Sequence, residues 1–236
     1  MQKIVILGAS GHGGVVLDCI LKEGIYDCIG FLDSYKSSGS SYLGYEILGN
    51  ENDLPAIMDK YKVSGIVIAI GDNHTRKCVV QKIRKLVPDL EFVSTVHPSA
   101  IVSREVVMGA GSVLLSGVKI TSNSFVGDHC ILNTNSILEH DSVMHNYSSL
   151  APMVCVGGGF QLGECSAMCI GVICIENITV GDHSVVGAGA LVLSDIPNSV
   201  LAIGRPARII RNRKAGEPYL GSRHKELVIP ILKSEI

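Results

Sequence analysis

The chain has 236 residues, 47% of them hydrophobic, enough for a full core and for two modest domains. A formal charge of −2 argues against a nucleic-acid surface. No apolar run reaches membrane-spanning length and the first residues, Met1 to Gly8, lack a signal-peptide cleavage region, so the sequence predicts a soluble cytoplasmic protein with no membrane span.

Ile4, Val5, Ile6 and Leu7 predict a short buried strand, followed by the glycine-rich turn Gly8-Ala9-Ser10-Gly11-His12-Gly13-Gly14 and a helix carrying Val15, Val16, Cys19 and Ile20. A second strand over residues 29–32 ends at Asp33. After a Gly/Ser-rich loop (37–41) come a strand at 45–48, a helix at 53–61, an apolar strand leading to Gly71, a helix at 76–86 and a strand at 91–93. Strands alternating with helices predict a small Rossmann-like parallel α/β domain over 1–96. The glycines of the first turn, at 8, 11 and 13, do not follow the GxGxxG spacing of dinucleotide sites. The turn nevertheless offers a strand end, bare N–H groups and a helix N-terminus, which together favour an anionic diphosphate. Asp33 at its strand end is placed to accept from a ribose or a base. A tight strand–helix connection without a ligand is the alternative.

From Val102 to Val192 every sixth residue is apolar, through Met108, Leu114, Ile120, Val126, Leu132, Leu138, Met144, Leu150, Val156, Leu162, Met168, Cys174, Val180 and Val186. Neither a helix nor an alternating strand has this period. It fits a parallel β-helix whose flat faces each take one hexad, with three hexads to a coil and coils about 4.8 Å apart. Gly109, Gly127, Gly157, Gly163, Gly181 and Gly187 directly follow six of these aliphatics and suit corners. Small residues four positions after them (Ser112, Ser124, Cys130, Ser136, Ser142, Ser148, Ser166, Ser184) suit a narrow interior. The repeat predicts a prism over 97–210, and a tail over 211–236 that mixes basic residues with an apolar run at 227–232 and could cover the open end of the coil.

The repeat breaks its own rule between residues 133 and 149. Asn133, Glu139 and His145 occupy places where glycine or another small residue is usual, and His140 and Asp141 stand beside Glu139. One coil beyond His140 lies Gly158, within Gly157-Gly158-Gly159, which leaves a groove over the histidine. A histidine with a nearby carboxylate suits a general base, provided that His140 and Asp141 straddle a corner. A solvated histidine in a charged patch is the alternative. A zinc site built from His129, His140 and His145 is disfavoured because their hexad phases differ, and no metal is expected. The eight cysteines form no CxxC pair and read as small buried side chains.

The motifs Gly8-Ala9-Ser10-Gly11-His12-Gly13, Phe31-Leu32-Asp33, Ala69-Ile70-Gly71-Asp72-Asn73, His97-Pro98-Ser99-Ala100, Asn133-Thr134, Glu139-His140-Asp141, Val185-Val186-Gly187-Ala188-Gly189 and Gly204-Arg205-Pro206-Ala207 occur in order. Through them the stretch from Ile4 to Ile210 resembles the sugar O- and N-acetyltransferases of the sialic-acid and bacillosamine pathways, in the hexapeptide-repeat acyltransferase superfamily. It is most similar to enzymes acetylating the 4-amino group of UDP-linked 4-amino-4,6-dideoxy sugars. The resemblance implies an α/β domain followed by a left-handed parallel β-helix, the left hand being a known exception to crossover rules. It also implies a homotrimer with active sites at subunit interfaces, and acetyl-CoA as co-substrate. It makes His140 the base, Asp141 the acid that raises its basicity, and Asn133 a neighbour of the reacting amine, with Glu139 beside them. Ser10, Gly11, His12, Asp33, Ser34 and Gly71 fall on nucleotide-sugar positions, and Ser149, Gly158, Ile170 and Ala188 on the acetyl-CoA groove. Ser149 departs from the family's usual histidine there and His145 from its usual glycine. The expectation is direct acetyl transfer to a nucleotide-linked amino sugar. O-acetylation of a sialic-acid-like sugar and a non-catalytic β-helix scaffold are the alternatives, while a nucleotidyltransferase lacks its phosphate loop.

Overall fold

The computed structural model describes residues 1–220, so the apolar run 227–232 of the tail lies outside the described residues. In the N-terminal part, strands β1 (Gln2–Leu7), β2 (Tyr26–Leu32), β3 (Ser41–Tyr42), β4 (Tyr45–Gly49), β5 (Gly65–Ile68) and β6 (Glu91–Phe92) form one sheet in the order β3-β4-β2-β1-β5-β6. All neighbours are parallel except the β3–β4 hairpin, whose first strand begins at Ser41, the last residue of the expected Gly/Ser loop. Alternate residues of β1 serve opposite faces. Ile4 and Ile6 pack with helix α1 (Gly11–Glu23), whereas Val5 and Leu7 pack with helices α2 (Leu54–Tyr61) and α3 (Asn73–Leu86). The first of these cores also takes in Val113, Leu115 and Ile131 of the following repeat, so the two parts share buried apolar surface.

The repeat folds into a three-faced prism. Its first face stacks Thr95–Val96, Val113–Leu114, Ile131–Leu132, Ser149–Leu150, Ala167–Met168 and Val185–Val186, every neighbour parallel and eighteen residues apart. The first rung thus lies just ahead of the boundary at 97 expected from the sequence. The second face runs from Ile101–Val102 to Leu191–Val192 and the third from Val107–Met108 to Thr179–Val180. The hexad aliphatics from Leu114 to Val192 point inward and are buried. The small residues between them form a hydrogen-bonded stack: Ser166 Oγ donates to Gly181 O at 2.6 Å and accepts from Ser184 N at 2.9 Å.

The corners fall elsewhere than the glycines that follow the aliphatics. From Gly111 to Gly189 every sixth residue has φ between 55 and 72°, and this column is filled mainly by Gly, Asn, His and Asp, the types that tolerate a left-handed backbone. The glycines two positions earlier answer a different demand, close approach of the next coil. A Cβ on Gly163 would lie 2.5 Å from Asp182 N, and one on Gly157 would lie 2.6 Å from Glu176 N. After the last coil Val200–Ile203 extends the first face, and Arg208–Asn212 pairs antiparallel to it.

Candidate active site

Where β1 meets α1, Gly8 holds φ 114° and a Cβ there would come 2.6 Å from Ala69 O, so only glycine fits. Ser10 is the N-cap of α1 but makes no side-chain cap bond, which leaves the first-turn N–H groups of the helix for a ligand. Asp33 is already engaged: Oδ2 accepts from Ala9 N at 2.8 Å, and Oδ1 from Tyr35 N at 2.8 Å and Lys36 N at 3.1 Å. Ser34 donates to Glu51 at 2.6 Å. His12 carries a buried Nε2 with no partner, and burial, followed by the Arg76 charge, lowers its pKa to about 4. It is a neutral imidazole facing a cavity.

That cavity, about 370 Å³, lies between the N-terminal domain and the first face of the prism. His12 and Gly71 line it from one side, and Asn133, Ser149, Ile170 and Ala188 from the other. Asn133 Nδ2 donates to Leu150 O at 3.0 Å. Ser149 is buried and accepts from Asn73 Nδ2 at 3.0 Å, which leaves its own hydroxyl hydrogen free to donate. Arg76, also fully buried, fixes the junction. Its guanidinium donates to His129 O, Ile70 O, Gly71 O, Asn73 Oδ1 and Tyr147 O at 2.7–3.2 Å.

His140 and Asp141 lie on a different edge of the prism, at the turn between the second and third faces. Asp141 takes the left-handed corner, φ 58°, and this folds its carboxylate back onto the preceding imidazole, with His140 Nδ1 2.7 Å from Asp141 Oδ2. The other carboxylate oxygen accepts from Asn123 Nδ2 at 2.6 Å. Asp141 thereby raises the His140 pKa above its ordinary value, while the bonds from Asn123 and His140 lower that of Asp141. Glu139 accepts from Thr121 Oγ1 at 3.0 Å. Gly158 stacks on the ring, and a Cβ there would lie 2.5 Å from Cε1 and 2.7 Å from Nε2 of His140.

Within one chain, then, the structure gathers His12, Gly71, Asn133, Ser149, Ile170 and Ala188 around the cavity and places Ser10, Gly11, Asp33 and Ser34 around the adjoining turn. His140, Asp141, Glu139 and Gly158 form a separate group, in which His140 and Asp141 are exposed and Glu139 and Gly158 half-buried. Among the described residues no group of three or more His, Cys, Asp or Glu could hold a metal ion, and no helix is long and apolar enough to cross a membrane. His129 is a packing residue, stacked on Tyr147 at 5.2 Å and edge-on to Phe92 at 4.9 Å. Asn73, Arg76 and Tyr219 were missed from the sequence. Asn73 ends the Ala69–Asn73 motif and Arg76 lies just beyond it, but nothing in their spacing signals a contact with the prism.

Residues 3–83 match the family described as the PglD N-terminal domain. GDP-perosamine N-acetyltransferase of Escherichia coli is 25% identical over 210 residues, covering 86% of this chain and 84% of that protein. UDP-N-acetylbacillosamine N-acetyltransferase of Bacillus subtilis is 32% identical over 122 residues, 49% of this chain and 52% of that protein. Among solved structures, a histidine-to-asparagine variant of perosamine N-acetyltransferase from Caulobacter crescentus, in complex with CoA and GDP-perosamine, is 32% identical across 90% of this chain and 98% of that one, with a TM-score of 0.84. The acetyltransferase domain of PglB from Neisseria gonorrhoeae, in complex with acetyl coenzyme A, is 29% identical across 89% and 99%, with a TM-score of 0.82.

Proposed function

The chain belongs to the hexapeptide-repeat sugar N-acetyltransferases, with their small α/β domain and left-handed parallel β-helix, and we propose that it transfers acetyl from acetyl-CoA to the 4-amino group of a nucleotide-linked amino-deoxy sugar. The observation that carries this reading is the His140–Asp141 pair on a corner kept clear by Gly158. With Nδ1–H donated to Asp141, Nε2 is left as the proton acceptor. The sugar amine attacks the thioester carbon, a C–N bond forms and the C–S bond breaks. His140 Nε2 takes the amine proton and returns it to the departing thiolate, and Asp141 stabilises the imidazolium between the two events. Ser149, its lone pair held by Asn73, donates to the thioester oxygen. Asn133 faces the amine. The diphosphate takes the α1 N-terminus with Ser10, Gly11 and His12, while Asp33 and Ser34 shape the nucleotide loop beside Gly71. Ile170 and Ala188 line the acetyl-CoA side.

Because the base and the cavity occupy different edges, one copy is incomplete. We propose a homotrimer in which His140 of one copy faces the cavity of the next. The exposed aliphatics Ile101, Ile173, Ile175 and Leu193 along the second face supply apolar surface for that contact. Proximity of the two bound substrates then supplies much of the acceleration.

Turnover of acetyl-CoA with GDP- and UDP-linked 4-amino sugars, each beside its 4-hydroxy counterpart, tests the reading. CoA release only with an amine supports it. CoA release with a hydroxyl sugar instead would make the enzyme an O-acetyltransferase.

A further inference from the structure

Beyond Asn212 the chain leaves the prism sheet and turns back toward the N-terminal domain. Arg211 pairs with Glu217 at 2.6 Å, Glu217 also accepts from Lys214 N at 3.2 Å, and Gly216 takes φ 79° against His74, where a Cβ would lie 2.9 Å from the imidazole. The turn delivers Tyr219 and Leu220 to the cavity wall. The Tyr219 hydroxyl lies 3.4 Å from Gly71 O and 3.5 Å from Ser149 Oγ, at the outer limit of hydrogen bonding to either. A Cβ on Gly71 would come within 3.3 Å of Leu220 Cδ1, so the segment packs against the nucleotide-side glycine. Burial raises the phenol to about 12, so it is a neutral donor at physiological pH.

We propose that Tyr219 is a substrate-positioning residue: its hydroxyl spans the junction between Gly71 and Ser149 and donates to an oxygen of the hexose ring bound between the nucleotide end and the acyl end of the cavity. The inference rests on the acetyltransferase reading. It assigns the segment after the prism to the site, as a wall that leaves the cavity open. Two weak contacts within the chain are what a donor committed to a ligand needs. In the absence of sugar the hydroxyl is held near its place, and sugar binding supplies the short bond.

Tyr219→Phe keeps the ring that fills the wall and removes only the donor. Steady-state kinetics of the full chain should show the KM for the amino-sugar nucleotide rising about three- to tenfold, the loss of one neutral hydrogen bond, with the KM for acetyl-CoA and the melting temperature unchanged. An unchanged sugar KM in an active enzyme overturns the inference alone. An equal rise in both KM values overturns it too, since a merely structural role would loosen the whole cavity. A chain ending at Arg213 that turns over faster than the full chain would show the segment to be a plug. A wild type that acetylates no amino sugar would overturn both this inference and the reading beneath it.

Discussion

Gly158→Ala should separate catalysis from folding. The residue has an ordinary backbone conformation, so alanine carries no φ penalty there. Its Cβ, however, would occupy space 2.5, 2.7 and 3.0 Å from Cε1, Nε2 and Nδ1 of His140, each closer than van der Waals contact. The His140 ring is exposed, with 58% of its side-chain surface open to solvent, so it can rotate outward rather than strain the coil. Rotation breaks the 2.7 Å bond to Asp141 and moves Nε2 from its line to the substrate. A positioned general base contributes about 10²–10⁴ in rate, and a displacement near 1 Å is enough to forfeit much of it. We expect kcat to fall at least about tenfold and up to about a thousandfold, with the KM for acetyl-CoA little changed and the thermal midpoint within a few degrees of wild type. Acetyl transfer followed by thiol release, alongside a melting curve, measures both. A Gly158→Ala enzyme with near-wild-type kcat would refute the stacking argument, and one that unfolds would refute the claim that the ring yields first.

Three further outcomes follow from the same geometry. Because Asp141 raises the His140 pKa, the acid limb of the kcat/KM profile should turn above the ordinary imidazole value, and Asp141→Asn should move it to lower pH while reducing the rate. His129 is pushed down to about 3 by burial, then by Arg84 and Arg76, so the unfolded chain binds more protons between that value and the ordinary 6.5. Its contribution is intact above about pH 6.5 and is lost as the pH falls toward 3, by up to roughly 5 kcal/mol; denaturant titrations of wild type against His129→Phe should show the variant less acid-sensitive. Arg76→Met leaves carbonyls of Ile70, His129 and Tyr147 without their donor and should cost about 3 kcal/mol or more in urea unfolding, with no apolar gain large enough to offset it.

Periodicity made the prism legible because each face must bury one side chain per hexad, and sixfold spacing has no other economical explanation. The same ruler misplaced the corners: glycine looked like a turn residue, whereas the left-handed positions two residues later accept Asn, His and Asp as well, and the earlier glycines record contact between coils. The corner geometry at Asp141 was nevertheless inferable, since adjacent strand residues could not otherwise bond. The cavity was only half legible. Asn133 stands out as a break in the repeat, and Ser149, Ile170 and Ala188 follow from the resemblance to the sugar acetyltransferases, but Asn73 and Arg76 reach the cavity region from a helix whose pattern reports only its own packing. Tyr219 arrives from a segment with no repeat at all. Asp33 and Ser34 sit where the sequence expects them, at the strand end beside the glycine turn, and the structure adds their intrachain partners, backbone N–H groups for Asp33 and Glu51 for Ser34.

The proposed trimeric arrangement is open to complementation. Mixed trimers of inactive His140→Ala chains and inactive cavity-altered chains, such as Asn133→Leu, should recover part of the wild-type rate if base and cavity come from different copies, and none if each chain is self-sufficient.

The most direct measurement compares wild type and His140→Ala, both shown to have the same assembly state, in acetyl-CoA turnover with a nucleotide-linked 4-amino sugar. Amine-dependent CoA release by the wild type is expected, with a loss of about 10²-fold or more in the variant and substrate binding retained. A variant that acetylates the sugar at close to the wild-type rate would contradict the role of His140 as the base.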